Sequence, residues 1–378
     1  MYCVVCDRMQ ADWVGKCRVC GHACEAHYGE QESQPTDATR HSGDDVLRRH
    51  AAVLPATPDS LGRLALAPTP LIDLTGHFDT PARVFAKVEG ANPTGSTKDP
   101  MAAVAVANLF DRGIREFVFT STGNSGAAFA WALEAFPEMT ATLVVPEGFP
   151  SPERVPANLT IAPTRSSYAE AHVDAERLAA ARGCHCEEGF FSIGRREGLK
   201  VGYLEALLGL PSPPKLIVQA ISSGMGMLAV ARAVSHTVVG PASPRILGIQ
   251  QESCAPMVTA FIDGSPTLRP SDVVPRPTGL CVATLLGDPT TSYPDVARVV
   301  RASGGALRSV TDEAAMAARA KLEGLGLEVC MASALCCAGF EKHASVGSVA
   351  EGDTVLLMLT GARTSTSGRA ELALQAGL

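Results

Sequence analysis

The chain has 378 residues, 46% of them hydrophobic and 19% charged, with a formal net charge of −7. This is the make-up of an ordinary globular protein, and the negative balance argues against a broad nucleic-acid footprint. No apolar run reaches the roughly 18 residues needed to span a bilayer, which excludes a membrane-spanning helix.

The first residues, MYCVVCDRMQ, lack the basic-then-apolar order of a secretion signal, so a cytoplasmic, reducing setting is expected. There the twelve cysteines serve as metal ligands or small apolar residues rather than as disulfides. Five of them fall in the first 24 residues. Four form two C-x-x-C knuckles, Cys3/Cys6 and Cys17/Cys20, with ten residues between them. Each knuckle offers two thiolates from a tight turn, and the pair completes the tetrahedron of a structural Zn²⁺. Gly21 supplies the positive φ that such turns use. Residues 1–28 therefore read as a zinc ribbon whose metal supplies its folding energy. Its cations Arg8, Lys16 and Arg18 are opposed by Asp7, Asp12 and Glu25, which favours a structural or interface role over nucleic-acid binding. Residues 29–60 are polar and read as a linker with one short helix around Asp44 to Leu54.

From residue 61 short apolar runs alternate with alanine-rich amphipathic stretches. Strands are expected at Val84–Glu89, Glu116–Thr120, Ala141–Pro146, Leu216–Ala220, Ile246–Gln250 and Val355–Leu359. Helices are expected at Met101–Arg112, Ser125–Ala135, Ala169–Arg182, Glu197–Leu208, Met227–Val234, Asp312–Gly324 and Ser333–His343. The alternation predicts a doubly wound α/β fold with parallel sheets, in which ligands sit beyond the carboxyl ends of strands.

Four loops at such ends carry chemistry. In EGANPTGSTKDP, Asp99 reads as an N-cap and Pro100 as a first-turn residue, which puts Lys98 at the electropositive mouth of a helix. An amine there loses its proton more readily and can act as a nucleophile. In TSTGNSGAAFAWA, Ser121, Thr122, Asn124 and Ser125 meet a helix N-terminus and form an anion pocket. In VQAISSGMGMLAVARA, the N–H groups of Ser223, Gly224, Met225, Gly226 and Met227 can cradle a phosphate. In TVLLMLTGAR, a buried strand delivers the neutral hydroxyl of Thr360. Each loop alone admits a plainer reading as a cap, a packing turn or a strand exit. Together they describe a site for pyridoxal phosphate and an amino acid.

The stretches TPL at Thr69, NPTGSTKD at Asn92, STGNSG at Ser121 and EGLKVGYLEAL at Glu197 resemble those of fold-type II pyridoxal-phosphate enzymes, most closely the threonine synthase-like branch. SSGMGM at Ser222, GIQQESCAP at Gly248, VAT at Val282, EGLGLEVCMASA at Glu323 and LTG at Leu359 extend the likeness over residues 61–378. Cysteate synthase-like proteins are close relatives, and some members of both groups carry an N-terminal cysteine ribbon. The resemblance implies two doubly wound open-sheet domains of the tryptophan synthase β type. These would be interleaved in sequence, the smaller over roughly residues 95–205, behind the small zinc ribbon.

The resemblance also assigns roles. Lys98 is the Schiff-base lysine and Asn124 bonds the cofactor ring hydroxyl. Ser223 to Met227 hold the phosphate, and Thr360 faces the pyridine nitrogen. Ser121, Thr122 and Ser125 receive the substrate carboxylate. Thr97 and Pro100 depart from the residues usual beside the lysine, and Met225 and Met227 from those usual in the phosphate loop. The implied chemistry is elimination or replacement on an amino acid with a phosphate-ester or similar leaving group, with Lys98 as general base. Arg195, Arg196 or Lys200 could bind the leaving phosphate. Threonine synthesis, a β-replacement such as cysteate or cysteine synthesis, and serine/threonine dehydration all remain open. So does a non-catalytic zinc-ribbon protein that has kept the fold. Among partners, an amino-acid substrate and a second copy of the chain as a homodimer are expected, without nucleic acid or membrane. Cys184, Cys186, Cys254, Cys281, Cys330, Cys336 and Cys337 read as small apolar or free residues.

Overall fold

In the computed structural model, which describes residues 1–10, 13–28, 45–121, 123–165, 168–237, 243–345 and 347–375, the run TVLLML forms the strand Thr354–Leu359. It is buried at all six positions, as a parallel strand covered on both faces must be. The chain divides into two compact units, one of Met1–Pro68 with Lys98–Val201 and the other of Thr69–Thr97 with Gly202–Leu378.

The second unit is built on a six-stranded sheet in the order Ala306–Val310, Arg245–Gln251, Leu216–Ala220, Thr354–Leu359, Arg83–Val88, Leu71–Asp73. All neighbours are parallel except the last pair, where Leu71–Asp73 runs antiparallel to Arg83–Val88. Val84, Ala86, Val218, Leu247, Ile249, Leu335, Leu357 and Phe340 belong to its buried core. The helices Met225–Thr237, Tyr293–Ala302, Asp312–Gly324 and Met331–Ala344 belong to the same unit. Thr311 caps one of them, accepting from Ala314 N at 3.2 Å, with Asp312 and Glu313 in the first turn where negative charge is favoured.

The first unit holds a four-stranded parallel sheet ordered Leu159–Thr164, Thr140–Pro146, Glu116–Thr120, His185–Cys186. Phe117, Phe119 and Phe129 cluster beside it, with the Phe119 and Phe129 centroids 4.6 Å apart. The helices Lys98–Asp111, Asn124–Leu133 and Tyr168–Arg182 accompany this sheet, and Ile193–Gly209 begins here and ends in the second unit. The cysteine module pairs Tyr2–Cys3 with Arg8–Met9. Of the stretch read as a linker, residues 29–44 lie outside the described residues. From Asp45 on it carries the helix Val46–Arg49, capped by Asp45, and a second helix Pro58–Leu61; Leu47, Val53 and Leu61 are buried.

The expected strands and helices recur within a few residues of their predicted bounds. One boundary differs where it matters. The helix expected from Met101 begins at Lys98, so Asp99 does not cap it but lies buried within its first turn. Unforeseen strands are edge elements: Leu71–Asp73, Ala306–Val310, the two-residue His185–Cys186, and Leu159–Thr164 with Pro163 in it. Proline is tolerated at a sheet edge, where its missing N–H breaks no ladder. Among the described residues no helix is long and apolar enough to cross a membrane. The described cysteines are all free, and Cys254, Cys281, Cys330, Cys336 and Cys337 are buried as expected.

Candidate active site

Lys98 is the first residue of its helix and keeps part of its surface in contact with solvent. Burial of its ammonium is still the main cause that lowers its pKa to about 8, and the Arg195 guanidinium lowers it further. Arg195 is itself buried at 6% exposure. Its Nε donates to Glu187 Oε1 at 2.8 Å, and its Nη2 lies 2.5 Å from Glu187 Oε2, an ionic contact rather than a well-directed hydrogen bond. Its guanidinium also stands 4.8 Å from the Phe129 ring centroid. The same charge, after burial, lowers His172. A buried cation thus bears on the lysine amine within one unit.

The other two cations of that stretch have different partners. Arg196 Nη2 donates to Cys24 O at 2.6 Å. Lys200 Nζ donates to Val53 O at 2.6 Å and pairs with Glu197.

In the STGNSG loop, Ser121 Oγ accepts from Gly126 N at 2.8 Å and Gly123 N at 3.3 Å, which leaves its O–H as a donor. Gly123, at φ 150°, turns the chain into the helix Asn124–Leu133. Asn124 and Ser125 are half-buried in the first helical turn. Thr122 lies outside the described residues.

In the second unit the strand Leu216–Ala220 leads through Ser222, Ser223 and Gly224 into the helix Met225–Thr237. Gly224 has φ +77°, and a Cβ there would overlap Val296; a Cβ on Gly226 would overlap the Gln219 side chain. The Met225 and Met227 side chains are buried, so these two methionines do not obstruct the turn. Met227 N donates to Gly224 O at 2.9 Å. That leaves the N–H groups of Ser223 to Gly226 at the helix mouth, where an anion is favoured.

Thr360 follows the strand Thr354–Leu359 and is half-buried. Its carbonyl accepts from Thr97 N at 2.9 Å, and Ala362 N donates to Gly95 O at 2.8 Å. Ser333 grips the next residue from both sides: Gly361 N donates to its Oγ at 3.2 Å, and its O–H donates to Gly361 O at 3.0 Å. The strand end and residues 95–97 are therefore stitched together just before Lys98. A buried network supports the start of this loop. Thr69 Oγ1 donates to Glu89 Oε1 at 2.6 Å, Asn92 Nδ2 donates to Glu89 Oε2 at 3.1 Å, and Lys87 Nζ donates to Thr69 O at 2.7 Å and Glu205 Oε2 at 3.0 Å. Reading the sequence loop by loop missed Ser333 and Glu89. Their only signal was position within the quoted stretches: Ser333 acts on Gly361, and Glu89 joins Thr69 from outside its loop to Asn92 within it.

At the N-terminus the Sγ atoms of Cys3, Cys6, Cys17 and Cys20 all lie within 4.8 Å of one another, a set able to hold a metal ion. The N–H groups of Cys20 and Val19 lower the Cys17 thiol to about 6, whereas burial and the neighbouring thiols push Cys6 up to about 12, so the thiolate character is uneven across the set.

The model of the pyridoxal-phosphate dependent enzyme family matches residues 63–361. A threonine synthase from Methanosarcina acetivorans is 29% identical over 296 residues, covering 74% of this chain and 70% of that protein. A cysteate synthase from Methanoregula boonei is 27% identical over 282 residues, 71% of this chain and 66% of that protein. Among solved structures, processed threonine deaminase isoform 2 from Solanum lycopersicum superposes with a TM-score of 0.66 at 16% identity, over 91% of this chain and 98% of that one, a likeness of fold. With an α/β fold of this type and a family match over most of its length, the chain belongs to the pyridoxal-phosphate dependent enzymes and resembles the threonine and cysteate synthases among them.

Proposed function

We propose that this enzyme carries out elimination and replacement on an amino acid bearing a phosphate ester or similar leaving group, as a threonine synthase-like β,γ-replacement. The observation that carries the reading is the pairing, within one unit, of an amine lowered to about 8 with the buried guanidinium of Arg195. The amine suits a general base near neutral pH, and the guanidinium suits a departing phosphate. All three cations of that stretch already have partners, Arg195 in Glu187 and Arg196 and Lys200 in main-chain carbonyls, and Arg195 is favoured because its charge is the one that bears on Lys98.

The residues fit the cofactor. The turn Ser223–Gly226 offers backbone donors at a helix mouth, with glycines whose Cβ positions are already occupied by neighbours. Lys98 is the anchoring lysine, Asn124 bonds the ring hydroxyl, and Ser223, Gly224, Met225, Gly226 and Met227 form the phosphate loop. Ser121, with its O–H left to donate, receives the substrate carboxylate together with Thr122 and Ser125. When bound, pyridoxal phosphate spreads the negative charge that develops at substrate Cα. Lys98 Nζ takes the Cα proton. Thr360 offers a hydroxyl rather than a carboxylate, so it does not hold a pyridine nitrogen protonated, which favours prompt loss of the leaving group. Zn²⁺ fills the Cys3, Cys6, Cys17, Cys20 set as a structural ion. The setting is cytoplasmic and the assembly a homodimer.

A second reading, β-replacement as in cysteate synthesis, has the support of the relative of that name. The test is the visible spectrum of the purified protein and of Lys98→Ala, titrated with O-phosphohomoserine and O-phosphoserine. A yellow band absent from the variant and shifted by O-phosphohomoserine supports the first reading, and a shift by O-phosphoserine alone supports the second. A protein that stays colourless after added pyridoxal phosphate, or a band shifted by neither compound, removes both.

A further inference from the structure

Three buried polar side chains leave the helix Ile193–Gly209 toward the N-terminal segment: Arg196, Glu197 and Lys200. Besides Cys24 O, Arg196 Nη2 reaches Phe191 O at 3.2 Å and Gly15 O at 3.4 Å. Gly15 and Cys24 are joined to each other, Cys24 N donating to Gly15 O at 2.8 Å, and they bracket the knuckle Cys17/Cys20. Glu197 Oε2 accepts from the Tyr28 hydroxyl at 2.9 Å, and Lys200 Nζ stands 5.1 Å from the Tyr28 ring centroid. Gly15 permits this approach, because a Cβ there would overlap the Phe191 carbonyl.

Two residues along a helix is about 200° of rotation, so Gly194 and Gly198 face away from Arg196 and Lys200. That opposite face lies on the Lys98 helix. A Cβ on Gly194 would stand 2.6 Å from Ala105 Cα, and one on Gly198 would stand 2.7 Å from Met101 Cα. The cysteine module has a buried core of little more than Cys3, Cys17 and Cys24, too little to hold the direction of its carbonyls unaided.

We propose that the metal-loaded cysteine module is a positioning clamp for the active site. Its carbonyls fix Arg196, Arg196 fixes the first turn of the helix Ile193–Gly209, and that turn holds Arg195 beside the Lys98 helix. The clamp stands on these contacts alone, while its effect on phosphate binding rests on the role proposed above for Arg195. Arg196 is a positioning residue and the metal takes no part in the chemistry, yet the site depends on it.

The test is amide hydrogen exchange on the full, cofactor-loaded chain with zinc bound, with zinc removed by a chelator, and with Zn²⁺ added back. Exchange over residues 187–200 rises about tenfold on removal, as for loss of one charge-assisted hydrogen bond, and falls again on addition. Exchange in the strand Thr354–Leu359 stays unchanged. Arg196→Ala shows the same local rise with zinc still bound, and Arg196→Lys restores part of the protection. Inorganic phosphate inhibits Arg196→Ala about tenfold more weakly than the parent, at an unaltered pyridoxal band. Unchanged exchange at 187–200 in both the stripped protein and Arg196→Ala overturns the clamp. Raised exchange with unchanged phosphate inhibition overturns its link to Arg195. A protein with no pyridoxal band sinks the functional reading, and exchange at 187–200 still decides the clamp.

Discussion

The backbone N–H of Thr97 donates to the carbonyl of Thr360 at 2.9 Å, so the residue before the lysine is tied to the residue proposed to face the pyridine nitrogen. Ser333 holds that strand end through both polar groups of Gly361. Ser333→Ala leaves the buried N–H of Gly361 without its acceptor, while the Gly361 carbonyl keeps the bond from Cys330 N, and should cost about 1–3 kcal/mol of stability, read from the denaturant midpoint. Cofactor affinity should fall with it, whereas Ser333→Thr should retain most of both.

The amine of Lys98 should titrate near pH 8 instead of 10.5. In protein freed of cofactor, the rate of reconstitution with pyridoxal phosphate should therefore climb with pH and level off above about 8. Arg195→Gln removes a positive charge that disfavours the ammonium, so the midpoint should move up. A profile that does not level off until the ordinary lysine range would show that neither burial nor Arg195 acts on this amine.

Glu371 is 1% exposed and accepts from Met331 N at 2.9 Å. Burial raises its pKa to about 7 from 4.5. A carboxyl raised in the folded state contributes stability that is whole below pH 4.5 and lost as pH rises through 7. The parent should lose about 3 kcal/mol between pH 4.5 and 7.5 from this group. Glu371→Gln, neutral throughout, should flatten that slope, which paired denaturation curves at the two pH values would reveal.

Gly224→Ala meets two obstacles, a φ of +77° and the Val296 side chain. A non-glycine residue held at positive φ costs about 1–3 kcal/mol, and here the backbone that must shift is the proposed phosphate turn. Dissociation of pyridoxal phosphate, followed by loss of its absorbance on dilution, should accelerate more than thermal stability falls.

Lys87 is buried with Glu89 and Glu205, and Lys87→Met would take the buried cation from both carboxylates, though Thr69 and Asn92 still donate to Glu89. Removing one partner of a buried pair costs about 3–5 kcal/mol, so this variant should unfold at markedly lower denaturant. Adding Glu205→Gln should recover part of the loss.

The interior strands were legible because a strand covered on both faces is mostly apolar, as Leu216–Ala220 and Thr354–Leu359 are apart from Gln219 and Thr354. The edge strands were not, since Leu159–Thr164 is half exposed and contains a proline. At the lysine, the Asp99–Pro100 pair looked like a cap and its first-turn proline. The helix instead starts at Lys98, directly after residues 95–97, which are tied to the strand exit at Thr360 to Ala362. The four loops were readable one by one from their residue types. The support from Ser333, the tie of Glu89 to Thr69 and the bearing of Arg195 on Lys98 were not, because each depends on where the sheet or a helix brings a distant segment, although Arg195 itself was readable as a candidate for phosphate.

Arg83–Val88 takes its parallel neighbour from Thr354–Leu359, and its first residue bonds to a threonine 271 positions further on. While the chain is being made, that strand waits without its inner partner, for tens of seconds at about 5–20 residues per second. The tie between Thr97 and Thr360 cannot form until Thr354–Leu359 and the residue after it have left the ribosome. The lysine is thus made well before the strand that sets it, and a nascent chain arrested before residue 354 would carry the amine without the framework that holds it.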